Sequence, residues 1–216
     1  MKKQITIDVP TSWKDVTLKQ YLALQAELEN YKDDEEAQTA LMLHHLCGLD
    51  PLYIRGLSTD SYNKIKAKLN EFISPETIEL QRFVTIDGVE YGFEPNLSKM
   101  SYGAYADITK YDTISIDKNW AKIMSILYRP VLNKNGDRYT IQPYDGEIDE
   151  KKWLKSDMQV NWGTLFFFVH LQMDSLKDIL SSTKNLELHP SIQSILERSG
   201  ELIQLSLNSP IIELKR

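Results

Sequence analysis

Phe83-Val84-Thr85-Ile86-Asp87-Gly88-Val89-Glu90-Tyr91-Gly92-Phe93 is the stretch of sequence that decides the fold. Two runs rich in β-branched and aromatic residues flank an Asp-Gly dipeptide, which is preferred in a two-residue type I′ turn. In that register Ile86 opposes Val89 and Val84 opposes Tyr91, so one face of the hairpin is apolar. Because an isolated hairpin is marginally stable, we expect this face to pack on helices.

Helical patterns precede and follow this hairpin. Thr17 and Gln20 match a capping box, and Gly48 fits the position that follows a helix. Apolar residues at helical spacing predict helices over residues 17–30, 37–47, 59–72, 118–128, 150–155 and 158–182, and a last one that starts near Pro190. A strand over residues 5–9 and a second hairpin around residues 133–136 are also predicted. The fold class is therefore α+β, predominantly helical with short antiparallel β-hairpins.

The two halves of the chain share a pattern at a spacing of 84 residues. Tyr21 and Tyr105 each stand four residues after a hydroxyl side chain that can cap a helix. The spacing indicates two pseudo-repeated strand-helix-helix units, and the alternative is that short amphipathic elements resemble one another by chance. We divide the chain into an N-terminal strand-helix-helix-helix unit (1–80), a hairpin with helices that repeats it (81–145) and a helical region (146–216). These three either fold separately or pack as one compact domain.

The composition excludes several classes of protein. Hydrophobic residues make up 42% of the 216 positions and charged residues 26%, which is typical of a folded domain rather than a disordered one. The formal charge of −6 has the wrong sign for a protein that coats nucleic acid or an anionic membrane. Residues 4–10 alternate instead of forming a secretory signal, and the longest apolar run, 165–169, is too short to span a bilayer. We expect no membrane partner, no secretion and a bacterial-type cytoplasm.

The residue types that carry chemistry in enzymes lack the required spacings. Adjacent His44 and His45 point about 100° apart on a helix, so they cannot hold one metal ion from that element. His44 and Cys47 are three residues apart in an apolar stripe, which favours a buried thiol beside a hydrogen-bonded imidazole. The carboxylates of residues 145–149 begin like a calcium loop, but the glycine and the final glutamate of such a loop are missing. We predict no catalytic residue, no metal site and no cofactor.

Aromatic side chains are plentiful, with 4 Trp, 11 Tyr and 6 Phe. The cluster over residues 162–168 has aromatic side chains on more than one side of a helix, so it is buried either within its own domain or partly by a partner. The apolar tail at 210–214 docks either on its own chain or on a neighbour. Because protein interfaces are rich in such anchors, the candidate interface residues are Trp120, Tyr128, Trp153, Trp162, Phe166, Phe167, Ile211 and Ile212.

Three stretches carry a resemblance to a known class of protein. They are Val9-Pro10-Thr11-Ser12-Trp13-Lys14-Asp15-Val16-Thr17-Leu18-Lys19-Gln20-Tyr21, Ile86-Asp87-Gly88-Val89-Glu90-Tyr91-Gly92-Phe93-Glu94-Pro95-Asn96-Leu97 and Ile123-Met124-Ser125-Ile126-Leu127-Tyr128-Arg129-Pro130-Val131. Together they resemble small structural or assembly proteins of tailed bacteriophages, of the crAss-like and related Bacteroidetes phages in particular. The resemblance covers roughly residues 5–170.

The resemblance implies a non-enzymatic role in the virion or in its assembly. A ring or connector subunit of the neck or tail is the first expectation; a tail-assembly chaperone that is absent from the mature particle, or a packaged cargo protein, are the alternatives. The expected partners are other phage virion proteins and further copies of this chain in a homo-oligomeric ring, with no nucleic acid. The expected location is the virion or the cytoplasm of the infected host.

Overall fold

A computed structural model describes residues 7–72 and 78–182 of the chain. The helices within these residues are Leu18–Leu28 (α1), Glu35–Cys47 (α2), Pro51–Arg55 (α3), Thr59–Phe72 (α4), Tyr102–Ile108 (α5), Trp120–Leu127 (α6), Glu150–Trp153 (α7) and Met158–Ser182 (α8). The strands are Phe83–Ile86 (β1), Val89–Phe93 (β2), Tyr128–Asn135 (β3) and Arg138–Ile141 (β4), which form an antiparallel sheet in the order β1-β2-β3-β4. The α+β class is thereby confirmed.

The first hairpin forms in the predicted register. Its two turn residues have φ angles of 50° and 80°, the positive values that a type I′ turn requires. Ile86 lies opposite Val89, and Val84 lies opposite Tyr91. Val84, Ile86 and Tyr91 are buried, whereas Val89 at the hairpin tip is 44% exposed. The apolar face therefore packs on the core everywhere except at the tip.

The second hairpin begins earlier than predicted. Strand β3 follows α6 without a linker and includes Pro130, which pairs with Tyr91 of β2. A register irregularity between Val131 and Asn133 lets the strand turn from β2 to β4. The turn lies at Gly136 and the residue after it rather than over 133–136. Proline is tolerated in this strand because it stands next to the irregularity.

Gly92 allows β4 to fold over the outer face of the sheet. It lies in register between Phe83 of β1 and Arg129 of β3. A Cβ atom at this position would lie 2.9 Å from both the Tyr139 ring and the Ile141 side chain, so these side chains would have to move to accommodate it. The Tyr139 ring packs against Phe83 at 4.7 Å, and its hydroxyl donates to the Phe93 carbonyl at 2.6 Å. A glycine is needed here for close approach, not for its backbone angles.

The helices largely follow their sequence signals. Thr17 caps α1 in the predicted box with Gln20, and Gly48 ends α2 with a φ of 66°. The bounds predicted for α4 and α8 match those observed. Helix α3 was not predicted; Pro51 occupies its first turn, where the missing N–H of proline has no cost.

The strand predicted over residues 5–9 is wrong within its described part. Residues 7–9 belong to no strand; Ile7 and Val9 pack half-buried against the core instead. The alternation of apolar residues was real, but a short segment of this kind needs a neighbouring strand edge to pair with. The helix predicted near Pro190 and the tail 210–214 lie outside the described residues.

Two pairs of helices begin at about the spacing that the predicted repeat would require. Helices α1 and α5 begin at Leu18 and Tyr102, 84 residues apart, and α2 and α6 begin at Glu35 and Trp120, one residue further apart. The first unit lacks its strand over residues 7–9. Duplication of the whole unit therefore stays a prediction, as does the division of the chain into three units.

Helices α1 and α8 are joined where both begin. The backbone N–H of Leu18 donates to the Ser156 carbonyl at 2.8 Å, and that of Met158 donates to the Val16 carbonyl at 2.7 Å. Between these bonds lies a single antiparallel bridge from Thr17 to Asp157. The first N–H groups of a helix have no acceptor within that helix. Here the first N–H group of α1 donates to the segment that precedes α8, and the first N–H group of α8 donates to the segment that precedes α1.

Asn161 lies fully buried beside this junction. Its Oδ1 accepts from the indole Nε1 of Trp120 at 3.0 Å. Its Nδ2 donates to the Ser156 hydroxyl at 2.8 Å and to the Asp157 carbonyl at 2.6 Å. The Asn161 side chain on α8 thus joins α6 to residues 156–157, and the Ser156 carbonyl in this segment accepts the first N–H of α1.

Segment 78–82 crosses α8 at Gly163. A Cβ atom there would overlap the Glu79 carbonyl and lie 3.3 Å from the Leu80 Cα. The Tyr128 hydroxyl donates to the Gln81 carbonyl at 2.7 Å, which holds the same segment from the other side. The segment leads directly into β1, so this crossing positions the sheet relative to α8.

We predict that Gly163→Ala destabilises the protein and that Gly103→Ala does not. Alanine at 163 pushes the backbone of residues 79–80 away and lowers the free energy of unfolding by about 1–2 kcal/mol, despite the better helix propensity of alanine. Gly103 in α5 is the matched control, because a Cβ there meets the Tyr144 ring at an ordinary 3.6 Å. Urea denaturation of both variants tests this. A Gly163→Ala protein as stable as the parent would contradict the crossing.

We predict that Asn161→Leu and Trp120→Phe are not additive. The leucine leaves the buried indole N–H of Trp120 without an acceptor, which costs about 1–3 kcal/mol. Phenylalanine at 120 removes that donor, so it destabilises the Asn161→Leu protein by less than it destabilises the parent. Denaturant unfolding of the four proteins gives the coupling free energy. A coupling of zero would show that the hydrogen bond does not form.

Candidate functional site

The two histidines of α2 lie against oxygen atoms of neighbouring residues, and the cysteine thiol of this helix is partly buried. His44 Nδ1 lies 2.7 Å from the Leu49 carbonyl oxygen and donates to it. His45 Nε2 lies 3.2 Å from Glu27 Oε1 but without the geometry of a hydrogen bond. Burial raises the pKa of the Cys47 thiol to about 11, so this thiol is protonated at neutral pH. The thiol is therefore a weak nucleophile there.

Within the described structure, the side chains that could bind a metal ion do not cluster. Across residues 7–72 and 78–182, no group of three or more histidine, cysteine, aspartate or glutamate side chains is arranged to hold a metal ion. In the turn that resembled a calcium loop, Asp145 Oδ1 accepts instead from the Glu147 backbone N–H at 2.9 Å. Asp149 caps α7 by accepting from the Lys152 N–H at 3.1 Å. These carboxylates organise a turn.

Three of the predicted interface residues lie in the core. Trp120, Tyr128 and Trp153 are at most 1% exposed. Trp153 packs on Tyr91 at 5.6 Å and on Tyr128 at 5.2 Å, and Tyr128 in turn packs on Phe93. Their burial corrects the assignment of these three residues to an interface, because a side chain with no exposed surface cannot contact a partner.

The aromatic residues of α8 are placed between core and surface. Trp162 is half-buried and packs edge-on against Trp13 at 5.7 Å and Tyr21 at 5.3 Å, with Phe166 stacked on it at 5.9 Å. Phe167 is half-buried on another side of the helix, against Phe93 at 5.4 Å. The structure thus divides the predicted aromatic cluster into two sets, Trp162 with Phe166 on one side of α8 and Phe167 on another. Ile211 and Ile212 lie outside the described residues.

A groove of about 590 Å³ opens beside Phe167. We call it the arginine groove, and its lining residues include Leu80, Arg82, Phe93, Arg138, Tyr139 and Phe167. Its volume lies within the range of natural binding pockets. Leu80, Phe93 and Phe167 give the groove an apolar part, and Arg82 and Arg138 are exposed charged residues of its lining. The two arginines were not singled out from the sequence.

The charged residues that line the arginine groove differ in whether they have an ion-pair partner. Glu94, which also lines it, is paired with Arg129 in a nearly buried ion pair. Asp137 is exposed on the lining. Within the described residues neither Arg82 nor Arg138 has an ion-pair partner. With Glu94 neutralised and Asp137 offsetting one arginine, the groove carries a net positive charge.

A second surface carries the most exposed aromatic side chains. Tyr102 and Tyr105, three residues apart on α5, are 84% and 58% exposed. The other face of that helix is buried through Ala104 and Ile108. Tyrosines three residues apart are a signal that sequence reasoning could have used, but the same spacing is found on buried faces.

An acidic turn adjoins these tyrosines. The Tyr144 ring packs across α5 at Gly103, and its hydroxyl donates to Asp107 at 2.6 Å. The hydrogen bond from Lys110, together with this one from Tyr144, holds the pKa of the Asp107 carboxyl below its usual range. Asp145 and Glu147, which follow Tyr144, are exposed and have no cationic partner in the described part of the chain. We call Tyr102, Tyr105, Asp145 and Glu147 the tyrosine surface.

Comparisons with known proteins identify no relative. No family model, no curated protein and no solved structure matches the chain. Among the helices described, none is both long enough and apolar enough to cross a lipid bilayer.

We predict that Tyr128→Phe lowers stability near neutral pH and weakens its dependence on alkaline pH. Loss of the bond to Gln81 costs about 1 kcal/mol. Burial raises the pKa of Tyr128 above the value of about 10 that it has in the unfolded chain. Its neutral form is therefore favoured by folding, and this contribution is full below pH 10 and is lost as the pH rises above it.

Urea midpoints at pH 7 and pH 10.5 measure both effects, with Tyr53→Phe as the control, since Tyr53 is 53% exposed. The parent and the control should lose more stability between the two pH values than Tyr128→Phe loses. Equal losses in all three proteins would show that Tyr128 ionises in the folded state as it does in the unfolded chain.

Proposed function

We propose that this chain is a non-enzymatic structural or assembly protein of a tailed phage virion, and that it acts as a ring or connector subunit of the neck or tail. The observation that carries the proposal is the tyrosine surface. Exposed tyrosines in well-packed surroundings are typical of contacts between proteins, and those of α5 contribute little to the core of this chain. The resemblance of three stretches to phage virion and assembly proteins supports the phage context.

A second observation favours the alternative of a tail-assembly chaperone. Trp162 and Phe166 are stacked on each other and half-buried beside Trp13. A partly covered aromatic cluster of this kind suits a protein that shields an apolar segment of another protein until it assembles. The ring subunit remains first, because Tyr102 is far more exposed than either residue of this cluster.

The ring proposal and its alternatives differ in where the protein is found. We expect quantitative mass spectrometry of particles purified from infected cells to detect the chain at a fixed copy number per particle, in the neck or tail fraction after the particles are dissociated. A variable copy number within the head would instead indicate packaged cargo. Absence from particles, together with a stable complex with a tail protein in infected cells, would indicate the chaperone. Absence from both would overturn the proposal.

A further inference from the structure

We propose that the tyrosine surface of one copy of this chain docks into the arginine groove of a second copy. The inference rests on the proposed function and deepens it, because it assigns the two surfaces through which subunits would contact one another. Both surfaces consist of described residues, and both carry charged side chains that have no ion-pair partner within residues 7–72 and 78–182.

The charges of the two surfaces are complementary. Among the described residues, no cation pairs with the exposed carboxylates of Asp145 and Glu147, and no carboxylate pairs with the exposed guanidinium groups of Arg82 and Arg138. A guanidinium group can hold a carboxylate through two parallel hydrogen bonds, which fixes the orientation of the contact as well as attracting the partner. Two copies of a chain with a formal net charge of −6 repel each other, so a contact between copies requires local charge complementarity of this kind.

The shapes and apolar character of the two surfaces also match. Tyr102 and Tyr105 project from a helix, whereas the arginine groove is concave and has Phe93 and Phe167 in its lining. Aromatic rings in contact prefer the edge-on and offset arrangements already present between Phe93 and Phe167. An inserted tyrosine ring would also lie near the arginine side chains, which favours cation–π contact.

The contact is heterologous, because it joins two different surfaces. Each copy bound through its tyrosine surface still has an arginine groove to fill. If the same partner fills it, the assembly closes as a dimer; if a third copy fills it, the assembly grows until it closes as a ring. The ring form of the proposed function requires the second case.

Charge reversal in the full-length chain tests the contact. We expect the parent protein to be multimeric by light scattering at micromolar concentrations. Arg82→Glu with Arg138→Glu, and separately Asp145→Arg with Glu147→Arg, should each raise the dissociation constant by at least about tenfold. The protein with all four substitutions should regain association, since the ion pairs re-form with opposite polarity. Arg55→Glu with Lys68→Glu reverses two other exposed cations and should change nothing.

The tyrosines are tested in the same assay. Tyr102→Ala with Tyr105→Ala should weaken association by at least about tenfold, whereas Leu52→Ala with Tyr53→Ala, which truncates comparably exposed side chains on α3, should not. Circular dichroism and the urea midpoint of each variant confirm that it is folded. All of these positions are exposed, so none of the substitutions disturbs the core.

Three results would overturn the inference: a monomeric parent protein, association that withstands both charge reversals, or failure of the fourfold variant to regain association. These results are separate from those that test the proposed function. A chain that is found in particles but is monomeric in isolation would refute this contact alone. A chain that associates through these surfaces but is absent from particles and from tail-protein complexes would refute the phage role alone.

Discussion

The arrangement of the helices depends on the buried hydrogen bonds of Asn161. Its amide accepts from Trp120 of α6 and donates to the segment at 156–157, whose backbone in turn receives the first N–H of α1. In the interior a donor without an acceptor is costly, so such a network is stable only when every member is satisfied. Three helices therefore meet at one point with little freedom to shift.

The position of the arginine groove follows from this junction and from two glycines. Because α8 is fixed at Asn161, Gly163 and Phe167 lie at set points along it, and segment 78–82 crosses at the glycine with Leu80 and Arg82 beside the groove. Gly92 acts in the same way on the other wall, since the absence of a side chain there leaves room for the Tyr139 ring. Neither glycine has a positive φ; each provides the close approach of another part of the chain.

The sequence predicted those parts of the fold that carry a local signal. The Asp-Gly turn, the capping box at Thr17 and the glycine after α2 were correct, because each depends on residues within a few positions of one another. The strand at 5–9 failed within its described part, because alternation does not reveal whether a partner strand is near. The hydrogen bond from Trp120 to Asn161 joins residues that are 41 positions apart, so no local sequence pattern predicts it. Of the residues that line the groove, only Phe167 was predicted as a candidate functional residue. The others come from separate elements that the sequence does not show to be neighbours.

The aromatic residues show why composition could not locate the surface. Burial of a tryptophan removes a large apolar area from water, so a fold that can enclose it gains by doing so, and Trp120 and Trp153 are enclosed. Tyrosine has a smaller apolar area and a hydroxyl that water satisfies, so Tyr102 and Tyr105 remain outside at little cost while Ala104 and Ile108 bury their helix. Aromatic residues therefore fall into two groups with different roles. Substitution of an enclosed ring removes buried apolar contacts and lowers stability, whereas substitution of Tyr102 or Tyr105 removes little buried area and leaves the fold intact.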